Sequence, residues 1–237
     1  MSKDGKRYKA DRVKVDSEKR VSLDEALEIL EGFGKAKFDE TVEVHMRMNV
    51  DPRHADQQIR TTVSLPAGTG KSVRIIVFAE GEAARAAEEA GADYVGTDEY
   101  VKQIQDGWLE FDVAVAIPQA MGKIGRLGRV LGPRGLMPNP KAGTVVQPDD
   151  VADTIQQLRQ GRVEFRIDRT ANLHIPFGKA SFTPDQLMTN FTAVMGAVLR
   201  ARPATVRGQY ILRMVVTSTM GPGVRVDIPA ASELRGH

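Results

Sequence analysis

The chain has 237 residues, 41% of them hydrophobic and 27% charged, enough for one or two domains with buried cores. It has no cysteine, which excludes disulfide frameworks, thiolate zinc sites, iron–sulfur clusters and cysteine nucleophiles; the four histidines (45, 54, 174 and 237) are scattered, so neither a metal nor a cofactor is expected. The net charge is only +2, and no apolar run approaches the roughly 18 residues of a membrane span, so no span, no secretory signal and a cytoplasmic address are expected.

The first regular element is expected over residues 22–32. Ser22-Leu23-Asp24-Glu25 reads as a capping box, and Leu23, Ala26, Leu27 and Leu30 recur at helical spacing until Gly32 and Gly34. From Thr41 to Val50 the pattern becomes strict alternation, with Val42, Val44, Met46, Met48 and Val50 on one side and Glu43, His45, Arg47 and Asn49 on the other. This predicts a half-buried strand whose polar face carries His45. Ile59 to Leu65 predicts a second strand, closed by Pro66-Ala67-Gly68-Thr69-Gly70, a loop and candidate hinge.

Val73 to Ala79 is a nearly continuous apolar strand. An Ala/Glu-rich helix over 82–90 closes at Gly91, and Tyr94-Val95, a helix over 98–106, the strand Phe111 to Ile117 and a helix over 149–160 follow. Continuous apolar strands alternating with helices predict a parallel sheet covered on both faces. After Gly161, strands are expected over 163–167 and 172–176. A helix then opens with the capping box Thr183-Pro184-Asp185-Gln186 and carries Leu187, Phe191, Val194, Met195 and Val198 on one face. Two final strands, Tyr210 to Thr217 and Val224 to Ile228, flank a turn at Met220-Gly221-Pro222-Gly223. Gly68, Gly70 and Gly161 are the expected flexible points between the two parts of the chain.

Gly68-Thr69-Gly70-Lys71-Ser72 ends like a phosphate-binding loop, but that motif needs glycine where Leu65 stands. It should also open a helix, whereas Val73 to Ala79 reads as a strand. A plain connector fits better. The segment Met121 to Val145 is more unusual, with six Gly and three Pro in 25 residues. Residues 113–148 contain no acid, while Lys123, Arg126, Arg129, Arg134 and Lys141 are basic; by contrast residues 71–160 as a whole carry 10 basic and 13 acidic side chains. Such a local positive field suits a polyanion, and glycine lets a backbone approach it closely. Two other readings stay open: an irregular loop packed through Ile124, Leu127, Val130 and Leu131, or a basic loop that is merely solvated. Gly122, Gly125 and Gly128, spaced by three, make no dinucleotide fingerprint. An enzyme acting on a phosphate-bearing substrate finds no Ser-centred elbow, paired His or metal-spaced carboxylates. A pure protein-interaction module is the third class.

The core of that segment, Leu131-Gly132-Pro133-Arg134-Gly135-Leu136-Met137-Pro138-Asn139-Pro140-Lys141, resembles the signature of the ribosomal protein L-one family, the first protein of the large ribosomal subunit. Residues 36–43, 91–96, 178–182 and 219–222 also resemble family segments, in the same order. The resemblance implies an α/β fold of two domains. Residues 1–67 and 161–237 would form a discontinuous two-layer rRNA-binding domain, and 68–160 an inserted Rossmann-like three-layer domain carrying the basic loop 121–145. It implies a non-enzymatic, ribosome-bound component of the large subunit, monomeric when free. Its partners would be large-subunit rRNA at the mobile stalk, exit-site tRNA whose release it assists, and its own mRNA, repressed through a mimic of the rRNA site.

Carried over by position, the rRNA and mRNA contacts would be Lys37, Phe38, Thr41, Asp168, Arg169, Thr219, Met220 and Gly221, with Lys123, Arg126, Arg129, Arg134 and Lys141 as secondary RNA or tRNA contacts. The chemistry suits RNA. Lys37 and Arg169 can neutralise phosphate, Thr41 and Thr219 can bond ribose hydroxyls, Gly221 admits backbone amides, and Phe38 and Met220 offer apolar surface. Phe38 equally suits a core, Asp168 an orienter of Arg169, and residues 220–222 a simple hairpin turn. Met214 stands where many family members carry a small hydroxyl residue, which puts one hydrogen bond to RNA in doubt.

Overall fold

The computed structural model describes residues 5–234, and at Lys141 the backbone alone. Before Lys71 the chain forms α1 (Lys6–Val13), α2 (Leu23–Glu31), β1 (Thr41–Met48) and β2 (Arg60–Ser64). Lys71–Gln160 holds β3 (Ile75–Phe78), α3 (Glu82–Glu89), β4 (Tyr94–Val95), α4 (Asp98–Gln105), β5 (Val113–Ala116), the single turns α5 (Met121–Ile124) and α6 (Gly128–Leu131), and α7 (Val151–Arg159). After it come β6 (Arg162–Arg166), β7 (Asn172–Lys179), α8 (Pro184–Arg200), β8 (Ile211–Ser218), β9 (Val224–Arg225) and α9 (Ile228–Glu233). The described residues up to Gly70 and from Gly161 onward make one compact unit, and Lys71–Gln160 the other.

In the first, outer unit an antiparallel sheet runs in the order β7-β1-β8-β9, and β2 pairs with β6. The alternation along β1 sends Val42, Val44, Met46 and Met48 into the core, where each buried side chain contributes about 1.5–3 kcal/mol. The opposite side of the strand stays at least partly exposed. Helix α8 starts at a complete capping box: the Thr183 hydroxyl accepts the Gln186 N–H at 3.4 Å, and the Gln186 side chain accepts the Thr183 N–H at 3.0 Å. Its Phe191, Val194, Met195 and Val198 are fully buried and share one core with α2 and the even-numbered residues of β1. At α2 only half the box forms, because Glu25 pairs with Lys19 and leaves Ser22 to cap alone.

In the second unit three parallel strands run in the order β4-β3-β5. Ile75, Ile76, Val77 and Phe78 are all fully buried, so both faces of the sheet are covered, as the unbroken apolar run predicts. Its core is separate from that of the outer unit.

Several expectations need correction. The α1 helix has no apolar stripe and was not legible; polar contacts hold it, with the buried Asp11 carboxylate accepting the Gly34 N–H at 3.0 Å and Lys14 at 3.1 Å. Burial acts to raise the Asp11 pKa, but those two partners bring it below the ordinary carboxylate value. The end of the chain forms α9 rather than a longer final strand, because Asp227 caps Ala230 and Pro229 suits a first helical turn. Two of the glycines at the expected flexible points, Gly68 and Gly161, have defined packing partners in this structure. The buried Asn190 side chain donates to the Gly68 carbonyl (2.9 Å) and accepts from the Ala67 N–H (2.9 Å), and a Cβ on Gly161 would stand 2.8 Å from the Gly68 Cα. Gly161 has φ +104° and packs against that connector, a close approach that a Cβ would block.

Candidate nucleic-acid interface

The first group of expected contacts forms where β1 begins. Chain segments 36–41 and 218–221 meet there because β8 pairs with β1 and delivers its last residues beside Thr41. The Thr219 hydroxyl accepts the Thr41 N–H at 2.9 Å, and the Thr41 carbonyl accepts the Thr219 N–H at 3.0 Å. Thr219 therefore extends the strand pairing by one step with its own side chain. The hydroxyl also donates to the Thr41 carbonyl at 3.3 Å and keeps one acceptor site, while the Thr41 hydroxyl accepts Lys179 at 3.0 Å and keeps its proton.

Beneath these loops lies Glu40, only 4% exposed. One carboxylate oxygen accepts the Ala36 N–H (3.1 Å) and Arg7 (3.3 Å), and the other accepts the Met220 N–H (3.0 Å). A single side chain thus ties both segments and α1 together. On the outside Phe38 and Met220 are 55% and 53% exposed, and Lys37 has no carboxylate partner among the described residues. The core reading of Phe38 is overturned. Gly221 needs a different explanation as well: its N–H is used by the Ser218 carbonyl, and a Cβ would fall 2.5 Å from the Ser218 hydroxyl and 3.0 Å from Phe33. It is glycine to fit its own protein. Met214 is 1% exposed on the core side of β8, so its side chain does not reach the surface.

Asp168 and Arg169 are not in this group. They lie near the other end of β1, where Arg47 pairs with Asn172, roughly 20 Å along the strand at about 3.3 Å per residue. Asp168 does not orient Arg169. Its carboxylate accepts the Thr170 and Asn172 N–H groups, both at 2.8 Å, and the Thr170 hydroxyl at 2.9 Å, shaping a turn in which Ala171 has φ +61°. Partial burial acts to raise its pKa, but the Asn172 and Thr170 bonds hold it far below the ordinary value. Arg169 stands exposed, with no carboxylate partner among the described residues.

Between the two groups, His45 and His174 meet on the polar face of the sheet with their Nδ1 atoms 2.7 Å apart. One must donate and the other accept, so both rings cannot be protonated in this geometry. Burial lowers the His45 pKa, His174 lowers it further, and Glu43 partly opposes them.

The basic segment 121–145 is not an irregular loop at its start. From Met121 to Leu131 it winds through successive helical turns that bury Ile124, Leu127 and Leu131, while Gly122, Gly125 and Gly128 have open space where a Cβ would stand. Lys123 is not a free cation: it donates to Glu80 at 2.7 Å and Asp98 at 2.9 Å, which raise its pKa. Arg126, Arg129 and Arg134 are exposed and carry no carboxylate partner among the described residues; the Lys141 side chain lies outside them. Glu40, Lys179 and His174 were missed by sequence reasoning. A carboxylate buried beneath two loops leaves no local signal, although the position of His174 on an alternating strand does.

The model of the Ribosomal protein L1p/L10e family matches residues 29–222. The chain belongs to this family. Over 236 residues it is 55% identical to the large ribosomal subunit protein uL1 of Chloroflexus aurantiacus (strain J-10-fl), covering 99% of this chain and 100% of that one. The protein of the same name from Thermomicrobium roseum is 51% identical over 234 residues, 98% of this chain and 97% of that one. The resemblance read from the motifs is borne out, as is the mixed α/β class. Family membership makes this a ribosomal protein of the cytoplasm and not an enzyme. Among the described residues no helix is long and apolar enough to cross a membrane.

Proposed function

We propose that this chain is a component of the large ribosomal subunit that binds rRNA at the mobile stalk, near the tRNA exit site, through the outer unit. The observation that carries this reading is the joint surface of residues 36–41 and 218–221. It presents exposed apolar side chains, Phe38 and Met220, beside Lys37, a cation with no carboxylate partner among the described residues, on loops fastened by Glu40 and by the Thr41–Thr219 bonds. Rigid apolar surface beside a cation is suited to sugars and bases whose phosphates pass nearby.

Two further roles belong to the same proposal. The protein helps deacylated tRNA leave, with Arg126, Arg129 and Arg134 as the contacts. It also represses its own mRNA through a weaker mimic of the rRNA site, so that repression begins when rRNA is filled. The decisive test is binding to a stalk rRNA fragment and to an unrelated hairpin of equal length at ~0.2 M salt, where non-specific contacts weaken. The expected result is strong preference for the stalk fragment, lost on changing Met220 to Ala and Phe38 to Ala together. Equal weak binding to both RNAs would leave a protein-interaction module as the better account.

A further inference from the structure

The polar face of the four-stranded sheet carries an arrangement of arginines that the strand register makes unavoidable. Arg47 on β1 lies directly opposite Arg213 on β8. Like charges set opposite each other across antiparallel strands are unfavourable. Two residues on, Val215 lies opposite Arg225 of β9, which puts Arg225 on the same face as Arg213. A parallel bridge joins Val21 to Val226, and so brings Arg20 alongside Arg225. Buried Val21 and Val226 point to the core, so their neighbours Arg20 and Arg225 take the opposite side.

None of the four has a carboxylate partner among the described residues, although Arg7 and Arg60 in the same unit are paired with Glu40 and Glu164. Arg20, Arg213 and Arg225 converge on a small pocket of about 110 Å³, together with Leu212 and Ile228 and without any acidic side chain. A shallower depression of about 550 Å³ shares Leu212 and Arg213 with it and continues across Arg47 to His45 and His174. The carboxylates bordering that path are Glu43, 3.8 Å from His45, and Asp168, 3.4 Å from His174.

We infer that this sheet face is a phosphate-binding track, with Arg47, Arg213, Arg225 and Arg20 receiving successive phosphates of an RNA backbone. The inference rests on the RNA-binding reading above and extends it from the loops to the sheet. Guanidinium forks match phosphate oxygens, and an anion between Arg47 and Arg213 would remove the repulsion that the register builds in. The track starts at Arg47, beside the group that holds Asp168 and Arg169, and runs from there across β8 and β9, so an RNA held at Arg169 already lies next to its first cation. RNA is favoured over a small phosphate ligand because four cations spread over four neighbouring chain segments suit an extended polyanion better than a single group.

The test compares the whole protein with the double variant Arg213→Gln/Arg225→Gln and the single variant Arg47→Gln. Affinity for the stalk rRNA fragment is measured across a salt series, with thermal unfolding of each protein alongside. The double variant should bind about tenfold more weakly at ~0.2 M salt, with the slope of log affinity against log salt reduced by about one to two, and Arg47→Gln should reduce it by about one. Their melting temperatures should be unchanged or raised, which a merely structural role would not give. Wild-type preference for the stalk fragment with unaltered slopes in both variants would overturn the track and leave the loop site standing. Absence of any wild-type preference would instead remove the RNA-binding reading itself. Release of RNA by millimolar inorganic pyrophosphate at constant ionic strength would replace the polyanion by a small phosphate ligand and overturn the assignment.

Discussion

The surface made by residues 36–41 and 218–221 carries the single cation Lys37 beside Asp39 and Glu40, whereas the segment 121–145 carries five cations and no acid; both contain glycine, and the family resemblance assigns RNA contacts to both. Their charges are in different states. In the second, Lys123 is held by Glu80 and Asp98, from chain segments 43 and 25 residues away, whereas Lys37 in the first is exposed and has no carboxylate partner among the described residues. Their glycines differ as well. Gly221 is pressed against Ser218 and Phe33, while Gly122, Gly125 and Gly128 lie open on the outside of helical turns. A cation is available to a partner only when its own fold leaves it unpaired, and a glycine admits a partner only when its own fold leaves it uncovered.

The largest effect that would break this comparison is expected at Glu40. Glu40→Ala leaves two N–H groups and Arg7 without their acceptor and should lower stability by about 2–4 kcal/mol, read from urea unfolding. Stability within about 0.5 kcal/mol of wild type would mean that the two loops are held without it. Next comes Gly221→Ala, whose methyl group must displace Ser218 and Phe33; a loss of about 1–3 kcal/mol is expected. If the variant were as stable as wild type and bound RNA poorly, Gly221 would after all serve the partner.

Smaller, but sharper for the charge argument, is the salt dependence of RNA binding. Lys37→Gln and Arg169→Gln should each lower the slope by about one, and Lys123→Gln should leave it unchanged. A reduced slope for Lys123→Gln would show that its two carboxylates release it to RNA. The least effect concerns acid stability. The Asp168 pKa is depressed in the folded protein, so its contribution is complete above the unfolded value of about 4 and is lost as pH falls toward the native one. The stability difference between wild type and Asp168→Asn should therefore shrink steadily below about pH 4. A difference independent of pH would assign the turn's stability to something other than this carboxylate.

Much of the fold was legible because the dominant force is local in its pattern. The period-two alternation of β1, the unbroken apolar run of β3 and the capping box of α8 each state which side chains must leave water. Helices α1 and α9 were not legible. The first is fastened by Asp11 and Arg7 to residues far along the chain, and the second is a short capped turn with one buried alanine. The site divides in the same way. Motif resemblance named Lys37, Phe38, Thr219 and Met220, but Glu40, which joins their loops, is recognisable only once Ala36, Arg7 and Met220 are seen around it.

By itself the sequence determined the α/β class, the order of most elements, the family and the absence of cysteine chemistry. These depend on spacing, composition and local capping, which neighbours in the chain supply. Only the tertiary structure decided which cations are neutralised, which glycines are filled around, that the eight expected contacts fall into two groups, and that Arg47, Arg213, Arg225 and Arg20 share one face. Charge pairing and close approach act through space over a few ångströms, between residues that the chain separates by up to two hundred positions, and strand register is what brings those residues together.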